Sequence, residues 1–208
     1  MTDIILIGFM GVGKSTVAQQ LDPNFIDTDA VIAGEFEMST AAYFEEFGEA
    51  AFRKREEEVL ALLLSAVSPD RIGLSLTGHL IEVAANSRKT EASCPSDALA
   101  DKTLSILQSR VIATGGGIIE SEKNQALLRQ QKQVVYLSAD LELLRARITA
   151  DSIEKNLHRS VFENSTEAEF QAIYERRAAI YESLADLTID TTDKSPEIIA
   201  SQILASFK

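Results

Sequence analysis

Short apolar runs rich in β-branched residues alternate along the chain with longer segments of helical period. This is the pattern of a parallel sheet covered by helices on both faces. The runs predict strands at Ile4–Gly8, Phe25–Asp27, Val111–Thr114, Val134–Leu137 and Leu187–Asp190. Helices are predicted to begin near Lys14, Thr28, Thr40, Glu49, Ser121, Ala139, Glu167 and Pro196. Two starts carry capping signals: Thr166 with Glu169 reads as a capping box, and Ser195 precedes a proline at the first helical position. From about 68 to 108 the rhythm breaks into short amphipathic pieces among Gly, Asn, Ser and Pro, which predicts an insertion on the sheet framework.

Composition narrows the class. The chain has 208 residues, 45% of them apolar, enough for one α/β domain spanning 1–208 with a real core. Its single cysteine, Cys94, excludes an internal disulfide framework. The opening MTDIILIG is expected to be a strand and not a secretion signal, and the longest apolar run, Val59–Val67, is far too short to span a membrane. A cytoplasmic location is therefore expected. A formal net charge of −12 repels nucleic-acid phosphates and anionic membranes, so neither is expected as a partner. A monomer is the expected working state, with an oligomer left open.

The strongest motif is GFMGVGKST, Gly8 to Thr16, placed between a predicted strand and a predicted helix. In that context it reads as a P-loop, and a glycine turn that merely joins strand to helix is the weaker alternative. Backbone N–H groups of Gly11, Val12, Gly13, Lys14, Ser15 and Thr16 would cradle phosphates at the positive end of the helix. Lys14 would bridge the β- and γ-phosphates, and the Ser15 hydroxyl would ligate Mg²⁺.

Candidate acceptor residues cluster at the predicted carboxyl ends of the strands. Asp27 and Asp29, two residues apart, can face one cleft: one would hold the metal through water, the other a substrate hydroxyl. Acidic decoration of a helix N-terminus competes with that reading. In the helix that follows, a wheel at about 100° per residue places Phe52, Val59, Leu60, Leu63 and Val67 in one apolar arc. Glu56 falls inside this arc, Arg53 at its edge and Lys54 away from it, with a surface pair of Arg53 and Glu57 as the alternative. Farther on, Ile173, Ile180 and Leu184 form a stripe that carries Arg177, so its guanidinium should point inward toward a carboxylate or phosphate, or into an internal ion pair. Gly115, Gly116 and Gly117 follow a strand and would leave the cleft wall bare. The polar loop KNLHRS, Lys155 to Ser160, offers Arg159 as a charge stabiliser, and His158 reads as a solvent-facing loop residue.

Taken in order, GFMGVGKST, FIDTD, FRKRE, VIATGGG, Arg159, RAAIY and ADLTID resemble the shikimate kinase family. The resemblance implies a three-layer P-loop kinase fold with a parallel sheet of order 2-3-1-4-5, a substrate-binding region at about 28–60 and a lid at about 150–165. It also implies transfer of phosphate from ATP to the 3-hydroxyl of shikimate with Mg²⁺, on the route to chorismate. Its role assignments are substrate and catalytic aspartate on Asp29, metal-side aspartate on Asp27 and carboxylate-clamping arginines on Arg53 and Arg177. The glycine wall falls on Gly115, Gly116 and Gly117, the catalytic lid arginine on Arg159, and the adenine-side loop near Thr191 to Pro196. Three features depart from the family pattern: Arg159-Ser160-Val161-Phe162 replaces Arg-Pro-Leu-Leu, Leu21-Asp22-Pro23 shortens the first helix, and the insertion has no counterpart. Two rival readings stand beside this one. The first is a P-loop kinase of gluconate or a nucleoside monophosphate; the second is a nucleotide-binding regulatory module without catalysis.

Overall fold

The computed structural model describes residues 3–65, 111–155 and 165–207. The expected insertion at about 68–108, with Cys94, and Val67, His158, Arg159 and most of the expected lid lie outside the described residues.

Five strands form one parallel sheet: β1 Ile4–Ile7, β2 Ile26–Asp27, β3 Val111–Ala113, β4 Val134–Ser138 and β5 Leu187–Asp190, in the order β2-β3-β1-β4-β5. Central β1 pairs Ile5 with Ile112 on one side and with Val134 on the other. Its residues read as a continuous apolar run because helices cover both faces. Ile5, Leu6 and Ile7 are fully buried, each contributing roughly 1.5–3 kcal/mol of transfer free energy.

The helices, among the described residues, are α1 Lys14–Leu21, α2 Thr28–Glu35, α3 Thr40–Ser65, α4 Glu122–Leu128, α5 Leu141–Lys155, α6 Glu167–Leu184 and α7 Pro196–Ser206. Gly48, at φ +80°, interrupts α3, so it comprises the two helical segments expected from Thr40 and Glu49. Helix α1 stops at Leu21, before the Asp22-Pro23 pair expected to break it. Thr166 and Glu169 form the expected reciprocal capping box on α6.

Ser195 occupies the expected N-cap of α7 with Pro196 opening the helix, although no side-chain bond closes the cap. Helix α5 begins at Leu141 instead of Ala139, because the Ala139 carbonyl accepts from the Tyr174 hydroxyl at 2.9 Å and the Asp140 N–H donates to Thr192. A 3-10 turn at Ile118–Glu120, not expected from the sequence, links the glycine run to α4.

Two apolar clusters result. The larger fills the space around the sheet, and the smaller packs Val31, Ile32, Tyr43, Phe52 and Val59 between α2 and α3. Rings add to the second cluster, with Phe44 and Phe52 centred 4.5 Å apart and Phe36 and Tyr43 4.7 Å apart in an edge-on pair. Helices α2 and α3 thus have a small core of their own. No helix among the described residues is long and apolar enough to cross a membrane.

Candidate active site

A cavity of about 740 Å³ opens at the carboxyl edge of the sheet. Its nucleotide end is the loop between β1 and α1. Gly13 stands at the N-cap of α1 with φ +95°, a conformation that a side chain would strain, and no side chain caps the helix. The first-turn N–H groups are therefore directed to the loop. Gly11, Val12, Gly13, Lys14, Ser15 and Thr16 all line the cavity. The buried Lys14 ammonium donates to the carbonyls of Gly8 and Phe9 at 2.8 and 2.9 Å, which holds its charge over the loop.

Asp27 performs two tasks at once. Its Oδ1 caps α2 by accepting from the N–H groups of Asp29 and Ala30, and its Oδ2 accepts from the Ser15 hydroxyl at 2.6 Å. The helix-capping alternative thus holds for one oxygen of the carboxylate, while the other faces Ser15. The pair is a set of hard oxygen donors facing phosphate-binding backbone, the chemistry that suits Mg²⁺. Among the described residues no group of three or more His, Cys, Asp or Glu side chains could hold a metal alone, so phosphates and water would complete any such coordination.

Asp29 lies farther along the cavity. The residue is half-buried, yet its Oδ1 is enclosed and has no hydrogen-bond partner among the described residues. Burial, together with the charges of Asp27 and Glu56 and against those of Lys14 and Arg53, pushes its carboxyl from 3.8 to about 7. Glu56 is enclosed too, at 1% exposure, and burial also raises its titration range. Its Oε1 likewise lacks a partner, and Oε1 of Glu56 and Oδ1 of Asp29 both lie within 2.7 Å of the point where a Cβ on Gly115 would stand. Glycine at 115 is what lets two carboxylates share that space. Its N–H donates to the Thr28 hydroxyl at 2.8 Å. Gly115 therefore stands behind the wall that it was expected to form, and the cavity is lined by Gly116 and Gly117.

Both arginines reach the cavity, and both carry partners. Arg53 pairs with Glu56 at 2.5 Å and Glu49 at 3.1 Å, not with Glu57, which accepts instead from Ser121 and Lys123 on the far side of α3. The Arg53 guanidinium lies where a side chain on Gly117 would be, its Cζ 2.5 Å from the position of an added Cβ. Arg177, 4% exposed, donates from Nε to Glu120 Oε1 at 2.7 Å and lies 5.6 Å over the Phe9 ring. Its Nη1 and Nη2 make no hydrogen bond among the described residues. The internal ion pair expected as the alternative is thus present on one edge, and the other edge makes no hydrogen bond among the described residues.

Several contributors escaped sequence reasoning. Glu56 was visible as a charge in an apolar arc, though without a role. Tyr181, fully buried and stacked on Tyr136 at 5.0 Å, donates to the Gly116 carbonyl and so steadies the ridge. Thr28 and Glu120 have no local signature. Arg147, Ile199 and Lys194 line the cavity together with Thr191 and Pro196, as do Phe44 and Phe52.

The P-loop shares one chamber with two aspartates and two arginines, an arrangement that places the chain among the P-loop phosphotransferases. Comparison with known proteins refines that class. A family model described as Shikimate kinase matches residues 10–94 and 85–208. Shikimate kinase of Lactococcus lactis subsp. lactis is 40% identical over 200 residues, covering 96% of this chain and 94% of the relative. That of Enterococcus faecalis is 34% identical over 212 residues, covering 100% and 99%. Among solved structures, shikimate kinase from Acinetobacter baumannii in complex with shikimate superposes with a TM-score of 0.70 at 27% identity, over 100% of this chain and 93% of that one. The Aquifex aeolicus enzyme gives 0.64 at 26% identity, over 98% and 94%. The chain belongs to the shikimate kinase family.

Proposed function

We propose that the chain transfers the γ-phosphoryl group of ATP to the 3-hydroxyl of shikimate. The observation that carries this reading is the meeting, on one cavity with the P-loop, of Arg53, the terminal edge of Arg177 and the enclosed oxygen of Asp29. Two guanidinium groups suit a carboxylate, an aspartate suits a ring hydroxyl, and the bare Gly117 lets the Arg53 guanidinium lie against the ridge. The relative crystallised with shikimate supports the choice of acceptor.

In this reading Arg53 and Arg177 hold the acid by its carboxylate and so aim the hydroxyl at the nucleotide. Asp29 Oδ1 accepts the hydroxyl proton as the oxygen attacks phosphorus. A carboxyl poised at about 7 serves as a base near neutral pH better than an ordinary one would. Lys14 neutralises charge on the transferring group. Ser15 and Asp27 would hold Mg²⁺, which when bound supplies further neutralisation of the phosphates. The Arg159 assignment to the lid rests on the motif alone. Thr191, Lys194 and Pro196 would border the adenine. The reading includes a cytoplasmic, monomeric enzyme, and the net charge of −12 favours small-molecule partners over nucleic acid or membrane.

A coupled assay of ADP formation tests it. ADP release should depend on shikimate and should exceed that with gluconate or a nucleoside monophosphate. Preference for another acceptor would replace the substrate assignment, and ATP binding without transfer to any acceptor would favour a regulatory module.

A further inference from the structure

We propose that Glu120 is a positioning residue for the acceptor clamp: by occupying the Nε edge of Arg177 it leaves only the Nη1–Nη2 edge for the carboxylate of the substrate. This inference rests on the acceptor reading above and adds a residue that contacts no substrate. Glu120 closes the 3-10 turn that follows the glycine run, with its N–H donating to the Gly117 carbonyl at 3.0 Å. Its Oε1 accepts from Arg177 Nε at 2.7 Å and from Arg176 Nη2 at 2.9 Å. The Phe9 ring covers a face of the same guanidinium. A planar fork can grip a carboxylate through either the Nε–Nη2 or the Nη1–Nη2 edge. Filling the first removes that choice, so the ligand meets one binding register. Glu120 also balances the charge of a buried arginine by direct pairing, beside the longer-range attraction of Glu56.

The neighbouring residue acts in the same sense on the opposite helix. Ser121 donates to Glu57 at 2.5 Å, and Lys123 pairs with Glu57 at 3.1 Å. Glu57 lies on α3, four residues after Arg53. Adjacent residues of one short segment therefore tether both helices that carry the clamp, and they set the spacing between its arginines.

The test is a mutant cycle on the full-length enzyme, read as KM for shikimate, KM for ATP and kcat. Glu120→Ala should raise KM for shikimate about tenfold, the scale of one charge-assisted hydrogen bond, while KM for ATP and kcat stay within about twofold. Glu120→Gln keeps an oxygen that can accept from Nε and should restore most of the loss. Adding Glu120→Ala to Arg177→Ala should change KM for shikimate by less than about twofold beyond Arg177→Ala alone. If Glu120→Ala does not fold, Glu120→Asp, with its carboxylate drawn back by one methylene, carries the same cycle. An unchanged KM for shikimate, equal effects on both substrates, equal behaviour of the Gln and Ala variants, or full additivity with Arg177→Ala would each overturn the proposal. Wild-type turnover of shikimate, measured first, judges the acceptor reading separately. A wild type that binds shikimate without turnover allows the same ratios to be read from calorimetric Kd values, and one that does not bind it at all overturns both.

Discussion

Asp29→Asn should stabilise the ligand-free protein while removing its activity, with the stabilisation growing as pH rises. In the unfolded chain Asp29 titrates near 3.8, and in the folded protein near 7, because burial and the Asp27 and Glu56 carboxylates disfavour its charge. Between those values the folded state binds a proton that the unfolded state has released. The associated stability is full below the lower pKa and is lost as pH rises through the upper one. A gap of about three units, at 1.36 kcal/mol each, sets a ceiling of about 4 kcal/mol on what the ionised Asp29 costs the fold above neutral pH. The partly exposed remainder of the residue screens some of this, so about 2 kcal/mol is the working figure. Asparagine does not titrate, and its amide can donate to the partnerless Glu56 Oε1. Thermal unfolding should show Asp29→Asn above wild type by roughly 5 °C at about pH 8. The advantage should fall to about half or less at about pH 5, where the wild-type carboxyl is mostly protonated in the fold. Turnover of shikimate by the variant should fall by roughly 10²-fold or more for want of a base. An advantage that does not change with pH, or a variant less stable than wild type at the higher pH, would refute the account of a strained, half-enclosed carboxylate.

Two further substitutions separate the ends of the cavity. Lys14→Ala should lower kcat by roughly 10²–10³-fold through loss of charge at the transferring phosphoryl group, and retention of more than about a tenth of wild-type kcat would contradict that role. Gly117→Ala should leave thermal stability within about 1 kcal/mol, because its Cβ would meet only the flexible end of Arg53. It should nonetheless raise KM for shikimate several-fold with KM for ATP unchanged, and a parallel rise in both would show that the ridge itself had moved.

The parts of this protein legible in the sequence share one property: they are local. The P-loop is a contiguous stretch after a strand. The inward turn of Arg177 and Glu56 follows from helical period along a single element. The interruption of α3 at Gly48 and the end of α1 before Pro23 follow from backbone preferences of individual residues. Errors were local as well. Ala139 carried a helix-start signal that tertiary hydrogen bonds displaced, and the Arg53–Glu57 pair, plausible at i,i+4 spacing, lost to Glu56 and Glu49.

The chemistry of the acceptor end was decided at long range. Thr28 meets Gly115 across 87 positions, Tyr181 meets Gly116 across 65, and Glu120 meets Arg177 across 57. None of these pairs leaves a periodic or spaced signature, because each depends on how strand ends and helices are packed and not on the dihedral preferences of either partner. The sequence by itself thus determined a P-loop, its helix and the inward face of Arg177 and Glu56. Only the tertiary structure decided that Gly115 makes room for two carboxylates, that burial raises the Asp29 carboxyl to about 7 and that Arg53 and Arg177 arrive already paired. Burial and mutual charge are properties of the assembled cavity, and no single segment contains them.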